Sequence, residues 1–222
     1  MPLNLAIDGP VGAGKSSIAA AVAKRLNILH LDTGAMYRAV GLAAIRHGVS
    51  LEDEQAVTDL CGRIVIGVRH GENGQATLLD GEDVSGLIRT PEVSMAASKV
   101  ATYGGVRAAM VALQQKLASE TDMLLDGRDI GTRVLPDATV KIYLTASAEE
   151  RARRRFLELQ QKGAPDTYEQ VLADLIRRDE QDMNREVDPL RQAEDAVCVD
   201  STALSFDEVV DAILTIVEAK RK

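Results

Sequence analysis

Residues 9–16 read Gly9-Pro10-Val11-Gly12-Ala13-Gly14-Lys15-Ser16 and constrain the chain more than any other stretch. They satisfy the pattern G-x-x-x-x-G-K-[ST], directly after the apolar run Leu3–Ile7 and at the start of the alanine-rich periodic stretch Ser16–Leu26. That is the strand, turn and helix context in which the pattern carries meaning. Ile28–Leu31, Met123–Leu125, Val140–Leu144 and Ala196–Val199 are further short apolar runs, separated mostly by helical patterns. Runs of this kind belong to parallel strands buried on both faces. The expected fold class is therefore α/β, a five-stranded, doubly wound parallel sheet.

At 222 residues one such domain, residues 1–222, accounts for the whole chain. Helix starts are marked by capping boxes at Ser147 with Glu150, Thr167 with Gln170, and Ser205 with Glu208. Val209, Ile213, Ile216 and Val217 lie at helical spacing, so the last helix packs one face on the sheet. From Arg63 to about Val100 the α/β rhythm breaks. Ile64–Val68 and Thr77–Leu79 read as strands around the turn-rich Gly71, Asn73 and Gly74, which marks an insert. Gly163, Ala164 and Pro165 mark a second break, after an arginine-rich helix. Aromatics make up only 3% of the residues, so alanine, valine, leucine and isoleucine must fill the core.

The glycine-rich turn points its backbone N–H groups inward, and the helix that follows aims its positive end at the same spot. A polyphosphate is the natural guest. Lys15 suits the β- and γ-phosphates, and the Ser16 hydroxyl suits Mg²⁺, so a nucleoside triphosphate with Mg²⁺ is expected there. The motif specifies a nucleoside triphosphate and not a reaction. A guanine-reading Asn-Lys-x-Asp element is absent, whereas Arg38, Arg107, Arg128, Arg151, Arg154, Arg178 and Arg185 stand in acidic or glycine-containing contexts. Such arginines suit a reaction that brings two anions together. An acceptor phosphate, with a second pKa of about 6, is already ionised and needs positioning more than a base. A kinase of a small acceptor such as UMP, AMP or shikimate fits these residues too, and a nucleotide-dependent switch stays open.

A net charge of −8 argues against coating a nucleic-acid polymer. The first residues carry no basic leader, and no run approaches the roughly 20 apolar residues that span a bilayer. A cytoplasmic protein without membrane association is expected, and a monomer, because no sustained heptad or spare apolar face is left over. Cys61 and Cys198 are expected to be buried thiols. His30, His47 and His70 show no ligand spacing and no triad, so a histidine base is not expected.

The segments Ile7-Asp8-Gly9-Pro10 through Ser16, Leu31-Asp32-Thr33-Gly34-Ala35-Met36-Tyr37-Arg38, Gly81-Glu82-Asp83-Val84-Ser85, Asp126-Gly127-Arg128-Asp129-Ile130-Gly131-Thr132, and Arg178-Asp179 through Asn184-Arg185 together resemble the bacterial cytidylate kinases, within the nucleoside monophosphate kinases. The resemblance covers nearly the whole chain. It implies phosphoryl transfer from MgATP to CMP or dCMP. It also implies a monophosphate-binding region over 33–120, enlarged by the insert at about 63–100, and a short lid over 147–165.

By the same resemblance Arg38, Arg128 and Arg185, with Tyr37 nearby, hold the acceptor phosphate. Arg178 and Asp182 contact the ribose, and Thr33, Ser98, Arg107 and Asp129 read the cytosine. Gly9 to Ser17 hold the triphosphate, with Ser17 nearest the α-phosphate. Arg151 and Arg154, with Arg155, form the lid over ATP, so Lys15, Arg128, Arg151, Arg154 and Arg185 are the expected catalytic cations. Arg153 points elsewhere on the helix. Three departures stand out: Thr33 replaces the family's usual serine, Gln181 and Met183 stand where relatives can carry basic residues, and Ser16-Ser17 replaces a glycine and threonine.

Overall fold

The computed structural model describes residues 2–71 and 74–221. Five strands form a sheet in which every neighbouring pair is parallel: β1 (Asn4–Asp8), β2 (Leu29–Asp32), β6 (Met123–Gly127), β7 (Val140–Thr145) and β8 (Val197–Asp200), in the order β2-β6-β1-β7-β8. Side chains alternate across the pleat. Leu5, Ile7 and Leu124 face helices α1 (Lys15–Leu26) and α8 (Phe206–Lys220), together with Ile18, Val22, Val209, Ile213 and Val217. Ala6, Met123 and Leu125 face the opposite core, built with α2 (Thr33–Arg46), α3 (Glu54–Cys61), α4 (Pro91–Val100) and α5 (Gly104–Glu120). Both faces are covered, which is why the strands read as unbroken apolar runs.

The insert is a three-stranded antiparallel sheet of β3 (Ile66–Gly71), β4 (Gly74–Leu79) and the two-residue β5 (Glu82–Asp83), followed by α4. Its first strand begins two residues later than the sequence pattern suggests, and β4 begins three earlier, at Gly74. Asn73, expected in the turn, lies outside the described residues. The hairpin covers the open edge of β2 with side chains: Gln75 Oε1 accepts from Asp32 N–H (2.7 Å), Gln75 Nε2 donates to Asp32 O (3.4 Å), and His70 Nε2 donates to His30 O (2.7 Å). Edge-strand groups that would otherwise meet only water are thereby paired.

After β7 come α6 (Ala148–Gln161) and α7 (Tyr168–Asn184), which pack on each other through Ala152, Val171 and Leu175. The capping boxes of α7 and α8 form reciprocally. At α6 only half the box forms. Ser147 accepts from Glu150 N–H, but the Glu150 carboxylate turns to Arg153 and Arg154, because ionised partners outcompete a single amide. Their hydrogen bonds pull the Glu150 pKa down to about 2. Cys61 is buried as expected, whereas Cys198 is exposed. Cys198 lies on edge strand β8, where Val199 takes the face toward α8 and leaves its neighbour on the uncovered side.

Candidate active site

The loop after β1 is held by close backbone packing. Gly9 has φ of 152°, and a Cβ there would fall 2.0 Å from the carbonyl oxygen of Leu144 on β7, so only glycine fits. Gly14 takes the left-handed conformation as the N-cap of α1, which turns the helix start toward the cleft. Val11 is gripped on both sides: its N–H donates to Asp179 Oδ1 (3.0 Å) and its carbonyl accepts from Arg151 Nη1 (2.8 Å), while Arg151 Nη1 also pairs with Asp179 Oδ2 (2.6 Å). The loop is therefore braced from α6 and α7. Lys15 is buried with Nζ on Pro10 O (2.6 Å). Burial, reinforced by the Arg128 charge, pulls its pKa from 10.5 down to about 7.

At the C-terminal end of β6, Asp126 is buried beside this lysine. It accepts from Ser16 Oγ (2.7 Å) and is hydrogen-bonded to His30 Nε2 (2.6 Å). Burial is the largest influence on Asp126 and pushes its pKa up, but His30, Ser16 and Lys15 together hold it below the usual range. Its neighbour Asp32 is pushed up, by burial first and then by Asp126, with Arg38 offsetting part of this. Asp8 accepts from the N–H groups of Ile130 (2.8 Å) and Gly131 (2.7 Å) and so anchors the π-helical turn Ile130–Val134. Burial lifts its pKa to about 6 despite these hydrogen bonds.

A cleft of about 270 Å³ runs from this loop to α4, which lines it with Ser94, Ala97 and Ser98. It gathers Val11, Gly12, Gly14, Lys15, Ser16 and Ser17 at one end, and Thr33, Tyr37, Arg38, Ser98, Arg107, Arg128, Asp129, Arg178, Asp182 and Arg185 along its length. All ten residues expected on the acceptor side thus share one cavity. Gly9, Pro10 and Ala13 are buried behind its wall.

Arg128 Nε donates to Asp182 Oδ2 (2.6 Å). Arg38, Arg178 and Arg185 have their pKa values pulled down, by burial first and then by neighbouring guanidiniums that carboxylates only partly offset. Crowded cations of this kind make a receptor for a multiply charged anion. Deeper in, Arg107 is fully buried and pairs through Nη2 with Asp129, while Thr33 Oγ1 donates to Asp126 O (2.7 Å).

Arg151 and Arg154 are not in the cleft. Arg151 is occupied by Val11 and Asp179. Arg154 donates to Glu150 Oε1 (2.8 Å) and to Ser201 O (2.6 Å), and Arg155 pairs with Glu158 on the surface. Arg153 is solvent-facing as expected. Of the departures, Gln181 reaches across to donate to Ser98 O (3.1 Å), and Met183 is exposed.

The sequence reading gave no role to Asp8, His30, Arg89, Asp126, Asp179 or Asp188. Asp126 had a usable signal, an acidic residue ending a buried strand beside the loop. Arg89, 3.6 Å from Asp32, offers none in sequence, and neither does the Asp188 carboxylate, since the side chains they pair with lie far along the chain.

The donor set fits the expected groups. A serine hydroxyl with a buried carboxylate behind it offers the hard oxygens that Mg²⁺ prefers, and among the described residues no cluster of three or more His, Cys, Asp or Glu competes as a metal site. No helix among the described residues is long and apolar enough to cross a membrane.

A structure of an uncharacterized protein from Eubacterium ventriosum superposes with a TM-score of 0.56 at 12% identity, covering 98% of this chain and 99% of that one. A Thermus thermophilus protein does so at 0.50 and 20% identity, covering 100% and 98%. These likenesses concern the fold alone. In sequence, the chain is 50% identical to the cytidylate kinase of Caldicellulosiruptor bescii over 96% of its length and 94% of the relative's. It is 51% identical to that of Bacillus pumilus with the same coverage, and 49% identical to that of Carboxydothermus hydrogenoformans over 98% of both. The family model described as Cytidylate kinase matches residues 5–219, and agreement of this depth over nearly the whole length means that the chain belongs to the cytidylate kinase family.

Proposed function

We propose that this protein transfers the γ-phosphoryl group of MgATP to CMP or dCMP, giving ADP and CDP or dCDP. The observation that carries this reading is one continuous cleft with the phosphate-binding loop at one end and the Arg107–Asp129 pair buried at the other. Between them stand the guanidiniums of Arg38, Arg128, Arg178 and Arg185. Lys15 and the loop from Gly9 to Ser17 bind the triphosphate through the backbone N–H groups that the loop leaves facing the cleft. Ser16, held by Asp126, fits Mg²⁺, which when bound neutralises charge on the β- and γ-phosphate oxygens.

Arg38, Arg128 and Arg185 bind the acceptor phosphate and align its oxygen with the γ-phosphorus, and Tyr37 packs beside them. The acceptor is already ionised, so the arginines supply charge and alignment and no base is required. Arg178 and Asp182 bind the ribose. Asp129 accepts from the exocyclic amine of cytosine while Arg107 donates to its ring acceptors, with Thr33 and Ser98 framing the base. Uracil would set an acceptor against the carboxylate and be rejected.

Residues 33–120 form the monophosphate-binding region, and residues 147–165 form the lid. On closure Arg151 and Arg154 exchange Asp179, Glu150 and Ser201 for phosphate oxygens and exclude water. The protein works as a monomer in the cytoplasm, where its nucleotides are. ADP formation from MgATP, with CMP, dCMP, UMP, AMP and shikimate supplied singly, tests the reading. Turnover strongly favouring CMP and dCMP is expected, and preference for another acceptor refutes the base assignment.

A further inference from the structure

Asp188, in the loop after α7, sits in a left-handed conformation with φ of 47° immediately before Pro189. A non-glycine residue keeps such a conformation where its surroundings hold it there. Two arginines hydrogen-bond to it here, and a third, Arg133, stands with Nε 3.6 Å from its Oδ1. Through its carboxylate Asp188 accepts from Arg107 Nε (3.1 Å), and through its main-chain carbonyl it accepts from Arg185 Nε (2.7 Å) and Nη2. The same two arginines meet again on Asp129: Arg107 Nη2 on Oδ2, and Arg185 Nη2 at 3.5 Å from Oδ1. The four residues close a ring of two guanidiniums and two acidic residues. Side-chain exposure is 1% for Arg107, 4% for Arg185, 7% for Asp129 and 20% for Asp188.

Within the ring two positive charges face two negative ones, with Arg133 beside Asp188 and Asp182 beside Arg185 outside it. Its geometry divides Arg107 between two acids, with Nε on Asp188, Nη2 on Asp129 and Nη1 on Ala101 O (3.2 Å). Without the Asp188 carboxylate, Asp129 would be the only acid left to Arg107 in the ring. The guanidinium would then settle on it as a two-pronged pair and take up the lone pairs that a base amine needs. Arg185 would keep its hold on the Asp188 carbonyl but face an Asp129 already claimed.

We propose that Asp188 is a positioning residue for acceptor recognition, dividing Arg107 between two carboxylates so that Asp129 stays open to the base, and tying that arrangement to the phosphate arm Arg185. The inference rests on the proposed function, since it takes Asp129 and Arg107 as the base-reading pair.

Two substitutions separate the carboxylate from the backbone. Asp188→Gly keeps the left-handed turn and the carbonyl while deleting the carboxylate. Asp188→Asn keeps the turn and an acceptor for Arg107 Nε but removes the charge. Steady-state kinetics with CMP and UMP, at varied ATP, is the assay. Asp188→Gly should raise KM for CMP by about tenfold, the scale of one lost hydrogen bond to a charged group, and lower the CMP-over-UMP preference several-fold. Asp188→Asn should fall between, at about threefold, because a neutral acceptor holds the guanidinium less strongly. KM for ATP should stay at the wild-type value in both.

A merely structural role would move KM for ATP and the melting temperature along with KM for CMP, and that pattern would overturn the proposal. So would wild-type KM and base preference in Asp188→Asn and Asp188→Gly. Wild-type protein that turns over another acceptor but not CMP would instead overturn the functional reading, and the base-reading role of the ring with it.

Discussion

Replacing Lys15 with methionine should make the protein more stable while disabling it. In the folded chain Lys15 loses its proton at about 7, against an ordinary 10.5, with burial as the main cause. Between those values the unfolded chain carries more protons than the folded one, so stability rises with pH across the interval and is lowest below about 7. The gap between 10.5 and about 7, at about 1.4 kcal/mol per pH unit, is a burial penalty of about 5 kcal/mol at neutral and lower pH.

Methionine is unbranched, fills the same slot and carries no charge, but it gives up the hydrogen bond from Nζ to Pro10 O, about 2–3 kcal/mol for a charged donor. A net gain of about 2 kcal/mol remains, or roughly 4–8 °C in melting temperature for a chain of this size. Urea and thermal unfolding of wild type and Lys15→Met at about pH 6, 7.5 and 9 measure it. The advantage should be full at the lowest pH and gone by about pH 9, because the wild type regains stability as its lysine deprotonates. A variant less stable than wild type at about pH 6, or a gap that does not narrow with pH, refutes the reasoning. Phosphoryl transfer should be lost in the variant at every pH.

Gly9→Ala should lower stability by about 1–3 kcal/mol through overpacking against Leu144 and weaken ATP binding by more than about tenfold through displacement of the loop, with calorimetric titration as the check. Gln75→Ala should cost about 1–2 kcal/mol in urea unfolding, since it strips the partners from the Asp32 N–H and carbonyl on the edge of β2. Ellman's reagent should label one thiol quickly and one slowly in the native protein: Cys198 is exposed, while burial covers Cys61 and pushes its thiol pKa up. Cys198→Ser should abolish the fast phase.

Much of the architecture is local or periodic, and such features are legible along a chain. The loop from Gly9 to Ser16, the five apolar strands, and the caps at Thr167 and Ser205 depend on spacing within a few residues; the caps form where expected, and each strand ends one or two residues further along the chain than its apolar run. Boundaries in the insert moved because β3 and β4 take their ends from pairing with each other. The residues carried over by resemblance on the acceptor side gather in one cleft, because the motifs sit where strands β1, β2 and β6 end side by side.

The amino-acid sequence by itself determined a doubly wound sheet with a phosphate-binding loop and a supply of arginines, since turn chemistry and hydrophobic period act at short range. Only the tertiary structure decided which partner each charge takes. Arg151 is bound to Asp179 and Val11 rather than free above a nucleotide, His30 touches Asp126, and Arg107 reaches Asp188 across 81 positions of chain. Sheet order likewise put β8 at an edge and left Cys198 in solvent. A guanidinium carries five donors and no intrinsic preference among carboxylates, so its partner is set by which elements pack together, and that is a property of the folded chain.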